Sequence, residues 1–174
     1  MWIEVLLLAK LARGPMHGYE LRKDIEASTG RALSNNSLYP TLRRFVEAGA
    51  VSRSAEEQRA KPPRHVYTIT EVGREFLHDM LADLPDELAG DDWEFLARVG
   101  NFGWLREEER LAVLGARQRA LTRERERLTA LASGQADPWS RLVLDKACRE
   151  LDSGLQWVAE IRARITDRTE RGDR

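Results

Sequence analysis

The stretch from Asn35 to Gly49 constrains the chain most, because one short run carries both the start and the stop of a helix. Leu38, Leu42, Phe45 and Val46 fall three and four apart, which places them on one buried face and leaves Asn35, Asn36, Ser37, Tyr39, Arg43 and Arg44 on the other. Asn36 or Ser37 is expected as N-cap; Pro40 then falls in the first turn, where its missing N–H costs nothing, and Gly49 supplies a left-handed stop. The exposed set offers amides, hydroxyls and two guanidinium forks, which suit base edges and phosphates in a DNA major groove. An amphipathic core helix with a polar outer face has the same pattern, so the flanking sequence decides.

On the N-terminal side, Trp2 to Ala12 reads as a mostly apolar helix broken by Gly14-Pro15. A second helix opens at His17, carries Leu21, Ile25 and Ala27, and stops at Gly30. With Ala32-Leu33-Ser34 as the turn, this helix and the one after it form a helix-turn-helix pattern. On the C-terminal side, Val51–Arg53 and His65–Ile69 are expected to pair as strands around the polar segment Ser54–Arg64, which holds Arg59, Lys61 and Arg64. A basic hairpin directly after a helix-turn-helix is placed to reach the minor groove or backbone while the helix occupies the major groove. Thr70 then caps a helix striped by Val72, Phe76, Leu77, Met80 and Leu81, and Pro85 with Ala89-Gly90-Asp91-Asp92 marks a boundary.

Beyond that boundary lies the apolar segment Trp93–Phe102, followed by two long helical stretches, Arg106–Ala132 and Trp139–Thr166. Leu114, Leu121 and Leu128 repeat at intervals of seven in the first, with Gln118 and Arg125 interrupting the companion seam. Leu144, Leu151, Val158 and Ile165 do so in the second, with Cys148 and Leu155 between them until Arg162 breaks the pattern. An antiparallel hairpin of this kind leaves apolar surface that self-association would cover, so these leucines, Val158 and Ile165 are the expected dimerisation residues. The expected architecture is therefore mainly α: residues 1–88 form a winged helix-turn-helix domain with a small β-hairpin wing, and residues 89–174 a helical dimerisation domain.

Charge sharpens this reading. The formal net charge is only −1, yet Arg31–Tyr67 holds 7 Lys+Arg against 3 Asp+Glu, so positive charge collects where phosphate contacts would need it. The single cysteine, Cys148, excludes an internal disulfide and fits a reducing compartment. Val5–Ala9 is too short to span a bilayer, and Glu4 with no basic leader speaks against secretion, so no membrane association and a cytoplasmic location are expected. His17, His65 and His78 are scattered, and no nucleophile elbow, phosphate loop or metal-ligand spacing is present, so neither an enzyme nor a cofactor or metal site is expected.

Three segments together resemble the PadR family of transcriptional regulators. They are Gly14-Pro15-Met16-His17-Gly18-Tyr19-Glu20-Leu21; Ser37-Leu38-Tyr39-Pro40-Thr41-Leu42-Arg43-Arg44 with Glu47-Ala48-Gly49; and Pro63-Arg64-His65-Val66-Tyr67-Thr68-Ile69-Thr70-Glu71-Val72-Gly73-Arg74. Phe45-Val46 and Ala60 depart mildly from the family pattern. The resemblance implies a homodimeric repressor on a pseudo-palindromic double-stranded operator. Its DNA contacts would be Asn35, Asn36, Ser37, Tyr39, Arg43 and Arg44 on the helix, and Lys61, Arg64 and His65 on the wing; Tyr39 has a competing structural use, packing against the second helix. The resemblance also implies release by a small aromatic or drug-like effector, for which Trp93, Phe102, Trp104, Trp139 and Trp157 are the candidate walls. The rival function is a protein-interaction adaptor that uses the winged helix without direct operator binding.

Overall fold

A computed structural model of the chain describes residues 1–58 and 61–172, with side chains at 1–55 and 65–167. In chain order it runs α1 (Trp2–Leu11), β1 (Met16–His17), α2 (Gly18–Thr29), α3 (Asn35–Glu47), β2 (Val51–Gln58), β3 (Lys61–Ile69), α4 (Glu71–Ala82), α5 (Asp92–Val99), a 3-10 turn (Phe102–Trp104), α6 (Glu107–Ser133) and α7 (Pro138–Gly172). Two compact units result. The first holds Met1–Leu81 with Ala97–Trp104, and the second holds Ala82–Leu96 with the chain from Leu105 onward.

The first unit is a winged helix. Val5, Leu7 and Leu8 of α1, Leu21 and Ile25 of α2, Leu38 and Leu42 of α3, and Leu77 and Leu81 of α4 are all fully buried. Each such side chain contributes roughly 1.5–3 kcal/mol by leaving water. Gly30 (φ 67°) and Gly49 (φ 71°) end α2 and α3 in the left-handed conformation, as the sequence predicts. Thr70 Oγ1 accepts from the Gly73 N–H at 3.2 Å and so caps α4.

The sheet is antiparallel in the order β1-β3-β2, with Met16 opposite Tyr67 and Val51 opposite Ile69. Two features differ from the sequence expectation. β1 is an additional strand, whose two residues are too few to show any period. The hairpin strands also run on through most of Ser54–Arg64: Ala55 pairs with His65, Glu56 with Arg64 and, after a register shift, Gln58 with Lys61. The sequence of this stretch has no apolar–polar alternation, so the signal that marks a half-buried strand is missing although the backbone ladder is made. Arg59 and Ala60, expected at the wing tip, lie outside the described residues.

In the second unit Asp91 Oδ1 accepts from the backbone N–H groups of Trp93 and Glu94 at 2.7 and 3.0 Å and starts α5. α5 ends at Val99, so the expected segment Trp93–Phe102 is divided between α5 and the 3-10 turn. α6 and α7 form the expected antiparallel hairpin, with Leu114, Leu121, Val158 and Ile165 buried and Leu128, Leu144, Leu151 and Leu155 half-buried. The residues that interrupt the heptads meet across the seam: Arg162 Nη2 donates to Gln118 Oε1 at 3.0 Å, and Arg125 pairs with Asp152. Gly154 lets the helices approach, since a Cβ there would lie 3.1 Å from Leu121 Cδ1. No helix among the described residues is long and apolar enough to cross a membrane.

Candidate nucleic-acid interface

The N-cap of α3 is Ser34, not Asn36 or Ser37. Its Oγ accepts from the Ser37 N–H at 3.2 Å, and the two hydroxyls lie 2.9 Å apart. The earlier start makes Asn35 and Asn36 exposed first-turn residues and commits the half-buried Ser37 to the cap. Pro40 then sits beyond the first turn, where it deprives the Asn36 carbonyl of its usual helical donor. One turn on, the Thr41 hydroxyl donates to the Ser37 carbonyl at 2.8 Å.

Asn35, Tyr39 and Arg43 recur four apart with Asn36 alongside, and all are exposed. They form a continuous polar stripe on a helix whose opposite face is anchored by Leu38, Leu42 and Phe45. The Arg43 guanidinium lies 3.8 Å from the Glu47 carboxylate, and both side chains are largely in water, so the pair holds the arginine only weakly. Arg44 differs: it forms an ion pair with Glu4 of α1, whose side chain is only 20% exposed. Arg44 therefore ties α3 to α1 besides standing near the polar stripe.

Tyr39 occupies a seat at the start of α2. A Cβ on Gly18 would lie 3.0 Å from Tyr39 Cε1 and 3.4 Å from Tyr67 Cε2, so the absence of a side chain at Gly18 makes room for both rings. Tyr67 is buried, which pushes its phenol above the ordinary range; the neighbouring Arg53, which donates to it, partly offsets this, and Tyr39 adds to the rise. Tyr39 thus packs on α2 and keeps 43% of its surface open.

On the wing, His65 is half-buried midway along the hairpin, opposite Ala55, and its carbonyl accepts from His17 Nδ1 at 3.2 Å, which joins β3 to β1. Lys61 and Arg64 belong to β3 by their backbone, and their side chains lie outside the described residues. The sequence reading passed over Tyr19, Arg22 and Lys23 of α2, where the Arg22 guanidinium and the Lys23 ammonium lie 5.9 and 5.4 Å from the Tyr19 ring centroid. Their three- and four-residue spacing was the signal available.

The five aromatic residues expected around an effector are dispersed. Phe102 and Trp104 form the 3-10 turn, Trp93 lies half-buried on α5, and Trp139 is 76% exposed at the start of α7. Trp157 alone of the five lines a cleft of about 610 Å³ between α5, α6 and α7, edge-on to the buried Phe95 with ring centroids 5.7 Å apart. Arg117, buried beside Phe95, donates to the Ala89 carbonyl at 2.9 Å and pairs with Asp92. Among the described residues no group of three or more His, Cys, Asp or Glu is placed to hold a metal ion.

Residues 7–79 match the model of the transcriptional regulator PadR-like family. The negative transcriptional regulator PadR of Bacillus subtilis is 26% identical over 81 residues, which cover 45% of this chain and 44% of that protein. An uncharacterized 37.1 kDa protein in a Streptomyces fradiae transposon is 39% identical over 74 residues, covering 42% of this chain and 20% of that one. The chain thus spans under half the length of either curated relative. Among solved structures, a PadR family transcriptional regulator from Eggerthella lenta is 33% identical, with 45% of this chain and 68% of that chain covered and a TM-score of 0.41. Bacillus subtilis PadR in complex with operator DNA is 21% identical over 95% of this chain and 99% of that chain, at a TM-score of 0.45. These superpositions are loose, and it is the sequence match through the winged helix that identifies the chain as a member of the PadR-like family of transcriptional regulators, not of enzymes.

Proposed function

We propose that the protein is a cytoplasmic, homodimeric repressor that binds a pseudo-palindromic double-stranded operator through α3 and the β2–β3 wing and leaves it when a small aromatic molecule binds the second unit. The exposed stripe of Asn35, Asn36, Tyr39 and Arg43, fixed from behind by fully buried leucines, carries the reading. A helix roughly 10–12 Å across fits the major groove of about 12 Å, and asparagine and arginine are the side chains that pair bidentately with adenine and guanine edges. Strands of 8 and 9 residues make a wing roughly 25 Å long, enough to reach the flanking backbone or minor groove with Lys61, Arg64 and His65. Repression is supported by the negative regulatory role named for the Bacillus subtilis relative.

Residues 1–88 serve as the DNA-binding domain and residues 89–174 as the dimerisation and effector domain. A homodimer matches the two-fold symmetry of a palindromic site. Leu114, Leu121, Val158 and Ile165 are already buried within one chain, so the surface left for a second copy combines the half-buried Leu128, Leu144, Leu151 and Leu155 with Leu131 at the end of α6 and Trp139, Leu142 and Val143 on the first turns of α7, which are 50–76% exposed. Val143→Asp is expected to convert the dimer to monomer in sedimentation velocity while the helical circular-dichroism signal stays intact; a dimer of undiminished affinity would contradict this interface. For the effector, the cleft beside Trp157 and Phe95 falls within the size range of small-molecule sites, roughly 300–1,000 Å³. Addition of a flat aromatic ligand is expected to quench tryptophan fluorescence and to release operator DNA. Quenching with no release would remove the regulatory role of this cleft.

A further inference from the structure

The cleft of about 610 Å³ beside Trp157 holds a guanidinium that its own neighbours leave incomplete. Arg117 of α6 is the one cation among the described lining residues, its side chain is 7% exposed, and it lies 5.2 Å from the centre of the Phe95 ring. Nη1 donates to the Ala89 carbonyl and Nη2 to Asp92, while Nε is buried with no hydrogen-bond partner. Nε and Nη2 form the side of the fork that binds both oxygens of an oxyanion in parallel, and Asp92 fills half of it. The Asp92 side chain is 75% exposed, so it returns to water at little cost, whereas the buried guanidinium needs an anion. The other lining carboxylates compete poorly: Glu124 accepts from Arg127 at 2.8 and 2.6 Å, and Glu150 from Lys146 at 2.7 Å.

Ala89 and Asp92 belong to the turn that carries the chain from α4 into α5. Asp86, in the same turn, lies 3.7 Å from the Arg119 guanidinium and 3.4 Å from that of Arg123, but all three side chains are more than half exposed, and pairs in water hold weakly. The polar hold of α6 on the turn therefore centres on Arg117. We propose that Arg117 is the switch of this cleft: an aromatic occupant that brings an anionic oxygen to Nε and Nη2 takes the guanidinium from Asp92 and loosens the turn that follows the winged helix. This switch depends on the reading of the cleft as the effector site and supplies its regulation. Occupancy favours the loosened turn by as much as the ligand binds the free fork better than the paired one.

Naphthoate, followed by quenching of tryptophan fluorescence, is the probe, and naphthylmethylammonium, the same ring with the charge reversed, is its control. In the intact protein naphthoate is expected to bind, to speed amide hydrogen exchange at Leu88, Ala89 and Asp91, whose N–H groups close the turn, and to release operator DNA. Asp92→Asn, which removes the competitor, is expected to bind naphthoate about 3- to 10-fold more tightly, and Arg117→Met, which keeps an apolar stem and removes the fork, to bind it roughly tenfold more weakly. A role in folding alone would shift both variants the same way, and the exposed Asp92 keeps the test decisive where Arg117→Met fails to fold. Naphthoate bound equally by wild type and Asp92→Asn, or bound with no change of exchange in the turn, overturns the switch. Operator release by naphthylmethylammonium with no binding of naphthoate overturns the switch while the effector reading stands. Quenching by neither probe overturns both.

Discussion

Gly73→Ala is expected to destabilise the winged helix by roughly 3 kcal/mol, the upper end of the range for overpacking, and to lower its melting temperature by on the order of 10–20 °C. The sign is the informative part. In an open helix the same change is favourable by up to about 1 kcal/mol, because alanine loses less backbone entropy than glycine. At position 73 on α4 the new Cβ would lie 2.0 Å from the Ala50 carbonyl oxygen and 2.7 Å from Ile69 Cγ1. That carbonyl is fixed where α3 meets β2 and already accepts the Thr70 N–H at 3.0 Å, so relief requires moving α4 off the sheet. Gly115→Ala in α6 is the control. Its Cβ would meet only the end of the flexible Arg119 side chain at 3.5 Å, and a small gain in stability is expected there. Thermal denaturation of both variants that showed stabilisation at each position would contradict the packing of α4 described above.

Arg43→Ala is expected to weaken operator binding by about tenfold or more, in line with roughly 1–3 kcal/mol for a bidentate arginine contact, with no effect on thermal stability. Arg43 is largely exposed, and its partner Glu47 stands in water on the same helix, so the free protein gives up little when DNA takes the guanidinium. Arg44→Ala should cost less affinity and more stability. Its guanidinium is engaged by Glu4, and its loss leaves a mostly covered carboxylate on α1 without that ion pair. Anisotropy and melting curves on the two variants separate the roles; a larger affinity loss at Arg44 than at Arg43 would exchange them.

The winged helix was legible because its cues are local. The three- and four-residue spacing of Leu38, Leu42 and Phe45 and the stops at Gly30 and Gly49 each depend on a few neighbouring residues, and the structure forms them as read. The errors arise where a choice between near-equal local options is settled at a distance or by a single contact. Ser34, Asn36 and Ser37 are all good capping residues, and the hydroxyl pair between Ser34 and Ser37 decides among them. β1 exists only because β3 passes beside it. Gln118, Arg125 and Arg162 read as breaks in two heptad seams, whereas in the hairpin they find polar partners across it. The meeting of Phe95 with Trp157 spans more than half of the second unit's sequence, and no pattern in the chain announces it.

Operator recognition by α3 and the wing is tested most directly by the salt dependence of binding by the intact protein to the duplex upstream of its own gene and to its scrambled counterpart. Tight binding to the first is expected, with weaker binding to the second and a steep fall of both with salt as phosphate contacts release counterions. Weak binding to both duplexes with no dependence on salt would contradict it, and would leave the polar stripe of α3 to a partner other than DNA.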